Sequence, residues 1–185
     1  LTYYEKEHQE LVSFRQTEIL RSRFNLSSNT SILTGFSYMG DLLIDFSPPH
    51  QANDNLYRMA LACFDAASQS PDDLEAVLRY FEVWLLKIEG FLPDLRVCAN
   101  CQRAFGDELV YLGSDLSLRC VDCTESRGNA ISKRLRTHLR STEKLSPAKF
   151  AEGAREVSSD TKKQMAELTF QILGRVLERT PKIRL

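Results

Sequence analysis

Several motifs that would indicate an enzyme are missing from this 185-residue sequence. Glycine is scarce, with 8 residues, and neither a Gly-x-x-x-x-Gly-Lys-Ser/Thr phosphate loop nor a Gly-x-Ser-x-Gly nucleophile elbow occurs. The 3 histidines, His8, His50 and His138, lie far apart and beside no nucleophile motif. The sequence therefore predicts no catalytic residues and no enzymatic activity.

Long apolar runs are also missing. No stretch approaches the roughly 20 apolar residues that cross a bilayer. The first residues, LTYYEKEHQE, lack the basic and then apolar order of a signal peptide. We therefore expect a cytosolic protein with no membrane partner. Because the first residue is Leu1 rather than methionine, we also expect a longer protein to continue upstream.

Charge is unevenly distributed, although the formal net charge is only −1. Residues 1–95 contain 7 Lys and Arg against 14 Asp and Glu, whereas residues 96–185 contain 17 against 11. The second part is therefore basic by +6, and thiolates bound to a divalent metal would remove only part of this surplus. Such a surface could face phosphate groups, or it could simply be solvated.

Apolar residues recur at helical spacing through most of the chain, which predicts a mainly α fold. Ser47-Pro48 should end the first helix, Ser70 should cap the third, and Gly90 should end it. Trp84 and Cys63 fall in apolar stripes, so we expect core positions rather than base stacking or a reactive thiol. The predicted helices lie at about 32–46, 55–67, 71–90, 131–141, 147–157 and 160–180.

The cysteines carry the most specific signal. Cys98-x2-Cys101 is followed, after 18 residues, by Cys120-x2-Cys123, a spacing typical of a four-cysteine zinc site. Two β-like segments around Gly113-Ser114-Asp115 predict a hairpin that brings the second pair to the first. We therefore predict one structural Zn²⁺ with these four metal ligands.

Other uses of paired cysteines fit less well. Disulfides are rare in the cytosol, and a thioredoxin-type centre needs only one pair. The paired spacing matches neither common ferredoxin arrangement, and four protein ligands leave a zinc ion no open position for catalysis.

The stretch just before the cysteines resembles the RecO family of recombination mediators. It reads YFEVWLLKIEGFLPDL over residues 80–95 and leads directly into Cys98. The Phe-Glu pair, the Leu-Leu pair and the Gly-aromatic-x-Pro-Asp-Leu turn occur in the family's order, and many members then have a four-cysteine zinc site in a helical domain. A weaker resemblance extends over most of the chain.

The resemblance implies a domain organisation and partners. Residues 1–13 would end an N-terminal OB-fold, most of which the chain does not include, and residues 14–185 would form a helical domain with a zinc-binding insert at 96–126. RecO-like proteins bind and anneal single- and double-stranded DNA. They also act with RecR and the C-terminal tail of the single-strand binding protein SSB to help load RecA.

The predicted helix near 131–141 offers candidates for DNA contact. Lys133, Arg136, Arg140 and Lys144 follow at steps of three, four and four, which places them on one helical face, while Ile131, Leu135 and Leu139 would dock the helix to the body. Arg127 and Arg134 would extend this basic surface. A solvated face without a ligand is the alternative.

Together these observations predict a mainly α domain with an inserted zinc-ribbon-like hairpin. The function implied is that of a non-enzymatic, DNA-binding recombination mediator in DNA repair, located with the bacterial nucleoid. The alternative is a zinc-stabilised protein-interaction module without direct DNA contact, whereas a metal-dependent enzyme is disfavoured by the filled metal shell.

Overall fold

The computed structural model describes residues 2–4, 13–19, 22–48, 51–125 and 128–179. Helices dominate these ranges, which confirms the mainly α fold. The strands are β1 (Thr2–Tyr4), β2 (Ser13–Gln16), β3 (Val110–Leu112), β4 (Leu118–Arg119) and β5 (Ala130–Ile131). The helices are α1 (Thr30–Phe46), α2 (Asp54–Gln69), α3 (Leu74–Ile88), α4 (Lys133–Ser141), α5 (Pro147–Ala154) and α6 (Ser159–Val176).

Local signals set most of the helix ends. The side chains of Asn29 and Asn53 accept hydrogen bonds from the backbone N–H groups of Ile32 and Leu56, at 3.1 Å and 3.0 Å, and so cap α1 and α2. α1 ends at Phe46, directly before the predicted Ser-Pro stop. Gly90 follows α3 with φ of 77°, a left-handed conformation that glycine adopts without steric cost.

The start of the third helix differs from the prediction. Ser70 makes no capping hydrogen bond, and Pro71–Asp73 form a short 3₁₀ turn before α3. The carboxylate of Asp73 instead accepts two hydrogen bonds from the guanidinium of Arg155, at 2.9 Å and 2.6 Å. Asp73 lies at the N-cap of α3, but its side chain therefore binds a partner 82 residues away in the sequence rather than an N–H group of the helix.

The core is built around α3, which packs against α1, α2, α5 and α6. Burial of large apolar side chains on this scale is the main stabilising contribution to such a fold. Among the residues of α3, six apolar side chains are fully buried: Val77, Leu78, Phe81, Val83, Leu85 and Leu86. Phe81 therefore lies in the core, and Trp84, which we predicted as a core residue, is half-buried against that core.

The basic helix α4 begins later than predicted. Ile131, expected in its first turn, lies in β5, which pairs antiparallel with β3 through Val110 and Ile131. β3 also pairs with β4, so the predicted hairpin gains a third strand. The side chain of Ser132 then accepts from the N–H of Leu135 at 3.2 Å and starts α4. Short strands of two residues leave too weak a period to be recognised from sequence.

The N-terminal strands β1 and β2 pair antiparallel with each other. Most of residues 1–13, which the resemblance assigns to an OB-fold, lie outside the described residues, so this assignment stays a prediction. No helix in the described ranges is both long and apolar enough to cross a membrane.

Candidate metal centre and basic surface

The four predicted cysteines meet at one point. The sulfur atoms of Cys98, Cys101, Cys120 and Cys123 all lie within 4.8 Å of one another, and those of Cys101 and Cys120 are 3.9 Å apart. A tetrahedron of sulfurs about 2.3 Å from a central ion has edges of roughly 3.8 Å. The cluster thus has the size that a four-thiolate metal site requires.

Backbone turns aim the sulfurs at this point. In the first pair, the N–H of Gln102 donates to the carbonyl of Cys98 at 2.9 Å, and Gln102 adopts a left-handed φ of 60°. In the second pair, the N–H of Thr124 donates to the carbonyl of Cys120 at 3.0 Å. The two turns are joined because the N–H of Cys120 points at the Cys98 sulfur, 3.4 Å away.

The surroundings of Cys98 favour a thiolate. Burial by itself would raise the pKa of this thiol, but backbone N–H groups of Cys101, Cys120 and Asn100 donate toward the sulfur and together lower its pKa to about 6. Backbone donors that stabilise a thiolate are what a metal ligand needs, since the deprotonated sulfur binds the ion.

Arg136 fastens the cysteine insert, residues 96–125, to α4. Its guanidinium donates to the carbonyls of Gly106 and Glu108, at 2.8 Å and 2.9 Å, and lies 5.1 Å from the centre of the Phe105 ring. Only 4% of Arg136 is exposed. The expectation that Arg136 shares an exposed stripe with Lys133 and Arg140 is therefore wrong, because this part of the helix face is covered by the insert.

The other predicted DNA contacts are dispersed. Lys133 is exposed but forms an ion pair with Asp107 at 2.5 Å, whereas Arg134 and Arg140 are exposed on α4. Lys144 lies in the turn after the end of α4 at Ser141, so it does not continue the helical face. Arg127 lies outside the described residues. Ile131, Leu135 and Leu139 are buried, as predicted for the docking face.

Arg140 borders a groove that the sequence did not indicate, here called the Arg140 groove. It has a volume of about 220 Å³ and lies between the end of α3, the turn before the insert, and α4. Lys87 and Arg96 line it together with Arg140. No periodic pattern relates these cations, because they come from three separate segments.

A second concave site, here called the Lys162 groove, has a volume of about 160 Å³. Phe150, Met165 and Ala151 provide apolar surface. The charged lining is mixed, because the cations Arg79, Arg155 and Lys162 lie beside the acids Asp72, Asp73 and Glu75. Arg155 is paired with Asp73, and Arg79 with Glu82. His138 stacks on Phe150 with ring centres 4.8 Å apart. Burial, assisted by Lys162, lowers the pKa of His138, so this imidazole is neutral at physiological pH.

Cys63 is separate from the metal cluster, as predicted. It is fully buried in α2, and burial raises the pKa of its thiol to about 12. A thiol in this environment is a small core hydrophobe rather than a nucleophile.

Similarity to known proteins extends over most of the chain. The family model described as "Recombination protein O C terminal" matches residues 28–184. The DNA repair protein RecO of Caldicellulosiruptor saccharolyticus is 25% identical over 123 residues, or 66% of this chain and 50% of that protein. The RecO of Koribacter versatilis is 27% identical over 110 residues, or 59% and 44% of the two chains. The RecO of Clostridium acetobutylicum is 23% identical over 135 residues, or 73% and 55%. The chain spans about half the length of the curated relatives it matches.

Proposed function

Because the chain belongs to the RecO family, over the region that the C-terminal model covers, we propose that it acts in DNA repair as a non-enzymatic recombination mediator. In this role it binds single- and double-stranded DNA, anneals complementary strands, and helps RecR to load RecA on strands coated by SSB. The observation that carries the proposal is the family match over residues 28–184. In this proposal the protein is located in the bacterial cytoplasm, in association with the nucleoid. An OB-fold would lie ahead of residue 14.

The metal in this proposal is one structural Zn²⁺. Four cysteine sulfurs at this spacing suit a tetrahedral zinc ion, whereas calcium and magnesium prefer oxygen ligands. When bound, the ion would hold the two cysteine turns together and leave no open coordination position. Cys98, Cys101, Cys120 and Cys123 are its proposed ligands.

DNA would meet the basic surface that includes Arg134 and Arg140, extended by Lys133, Lys144 and Arg127. Arg134 and Arg140 are exposed on α4, so phosphate oxygens can reach both guanidinium groups. Arg136 is left out of this surface because its buried guanidinium already binds two carbonyl groups. Its role is to hold the insert against the helix that presents the other two.

Replacing Arg134 and Arg140 by alanine tests this surface. Each lost phosphate contact should flatten the slope of log affinity against log salt by roughly 0.7 for single-stranded DNA, so the double variant should lose about 1.4. Fluorescence anisotropy with a labelled oligonucleotide, repeated across salt concentrations, measures the slope.

The matched control is a variant with alanine at Lys149 and Lys163, two exposed cations on α5 and α6. It removes the same net charge from another part of the molecule. If both double variants change the slope equally, long-range charge rather than contact at α4 explains binding.

The Lys162 groove is the proposed site for the acidic C-terminal tail of SSB. The apolar floor with Phe150 and Met165 would take the hydrophobic groups of such a peptide, and Lys162 at its edge would bind an acidic group. The runner-up function, a protein-interaction module without DNA contact, depends on this same groove. Binding of DNA to α4 would support the mediator, whereas a lack of DNA binding would support the protein-interaction module.

Charge reversal at Lys162 should weaken binding of a synthetic SSB-tail peptide by about tenfold. The neighbouring residue offers the control, since Lys163 is 76% exposed and does not line the groove. Isothermal titration of Lys162→Glu and Lys163→Glu compares the two. Equal affinities would place the tail elsewhere.

A further inference from the structure

Three cations from separate segments line the Arg140 groove together with two carboxylates, those of Asp94 and Glu143. Lys87 comes from the last turn of α3, Arg96 from the turn before Cys98, and Arg140 from α4. The carboxylate of Glu143 binds the first two: one oxygen lies 3.2 Å from the Lys87 ammonium and the other 2.6 Å from the Arg96 guanidinium. Among the described residues, no ion pair involves Arg140, which lines the same groove.

Neighbouring groups hold the Lys87 side chain and the backbone of Arg96 in place. The Lys87 ammonium lies 4.8 Å from the centre of the Trp84 ring, and the Trp84 indole N–H donates to the carbonyl of Thr142 at 3.0 Å. The backbone N–H of Arg96 donates to the Asp94 carboxylate at 2.7 Å. Cations that are already positioned lose less conformational freedom when they bind an anion.

Glu143 is ionised under physiological conditions. Partial burial would raise the pKa of its carboxyl group, but Lys87 and Arg96 outweigh that effect and lower the pKa. A phosphate group presents the same kind of oxygen acceptors as this carboxylate and forms paired hydrogen bonds with a guanidinium. The groove therefore already binds an anion, and that anion belongs to the protein itself.

We propose that Lys87, Arg96 and Arg140 form a phosphate-binding subsite for nucleic acid, in which Glu143 acts as an internal competitor of the phosphate. The inference deepens the proposed DNA binding and rests on it. Lys87 and Arg96 exchange the Glu143 carboxylate for a backbone phosphate, and Arg140 provides the additional charge. Glu143 keeps affinity moderate, which suits a protein that must release the strand after annealing it.

The test uses Glu143→Gln, a near-isosteric change that removes the competing charge. Affinity for single-stranded DNA should rise about threefold at low salt, because one repelling charge within several ångströms of the phosphate is gone. Alanine at both Lys87 and Arg96 should instead flatten the salt slope by roughly 1.4. Glu156→Gln, at an exposed acid on the turn after α5, controls for net charge.

The possible outcomes distinguish a failure of the phosphate subsite from a failure of the proposed DNA binding. If the zinc-loaded wild-type protein shows no salt-dependent DNA binding, the proposed function fails. If the wild type binds but Glu143→Gln matches Glu156→Gln, and the Lys87 and Arg96 variant keeps the wild-type slope, only the subsite is overturned. Unchanged DNA binding with altered affinity for the acidic tail peptide would assign the groove to a protein partner and also overturn it. Circular dichroism of each variant confirms that the fold is retained.

Discussion

Replacing Cys120 with serine is expected to abolish metal binding and to unfold the cysteine insert. Zinc binding to comparable peptide sites contributes roughly 10–16 kcal/mol, much of it coupled to folding. Cys120 is fully buried and its sulfur lies 3.9 Å from that of Cys101, so serine removes one of the four ligands from the centre of the cluster. Elemental analysis of protein purified without chelator measures the metal, and wild-type protein should contain one zinc ion per chain.

The damage should spread beyond the insert along a defined route. β3 pairs with β5, which leads directly into α4, and Arg136 of α4 donates to carbonyl groups at Gly106 and Glu108. Hydrogen exchange of backbone amides should therefore accelerate in residues 96–125 and in α4, but much less in α2, which is remote from these contacts.

Cys63→Ala provides the control for this experiment. Cys63 is fully buried in α2 and lies outside the four-cysteine cluster, so its removal should leave the zinc content unchanged. Wild-type protein without zinc, or Cys120→Ser protein that retains a full equivalent, would contradict the proposed ligand set.

Local sequence patterns were sufficient to predict the cysteine cluster and most of the helices. The Cys-x2-Cys turn positions two sulfurs through hydrogen bonds within four residues, as the Gln102 and Thr124 amides show. Helix ends at Asn29, Asn53 and Gly90 likewise depend on neighbouring residues alone. Such interactions can be read from sequence, because the partners are fixed by their spacing.

The features that the sequence did not predict depend on contacts between residues far apart in the chain. Helical spacing placed Arg136 and Arg140 on one face of α4, but it could not reveal that the loop at Gly106 covers only the first of them. Similarly, spacing predicted Ser70 as the cap of the third helix, but it could not reveal that Asp73 lies at the N-cap and binds Arg155. The Arg140 groove depends on three segments that meet only in the folded chain.

A second large effect is expected at a buried polar cluster between α1, α3 and α6. Glu82, the acid of the Phe-Glu pair, is fully buried. One of its oxygens accepts from the Tyr38 hydroxyl at 2.7 Å, and the other accepts from the Thr169 hydroxyl and lies 3.0 Å from the Arg79 guanidinium. Burial raises the pKa of Glu82 despite these three partners. The charge of Arg79 is thus the principal compensation for a buried carboxylate.

Arg79→Met should therefore destabilise the fold by about 3–5 kcal/mol, the usual cost of leaving one member of a buried ion pair uncompensated. The loss should depend on pH. Without Arg79, the pKa of Glu82 rises further above its unfolded value of about 4.3. At pH values between the unfolded-state pKa and the folded-state pKa of Glu82, the folded state binds more protons than the unfolded state. The free energy of unfolding of the variant therefore falls as pH rises, by up to about 1.4 kcal/mol per pH unit.

Adding Glu82→Gln should remove this pH dependence and restore part of the stability. The glutamine carbonyl can still accept from Tyr38, and its amide can donate to the Thr169 hydroxyl, which is then free to donate to the Ala166 carbonyl 3.3 Å away. Urea unfolding of wild type, Arg79→Met and the double variant at pH 5 and pH 8 measures these differences. If Arg79→Met were equally stable at pH 5 and pH 8, Glu82 would have to be ionised in the folded variant as it is in the unfolded chain, and Arg79 would stabilise the core through packing rather than charge.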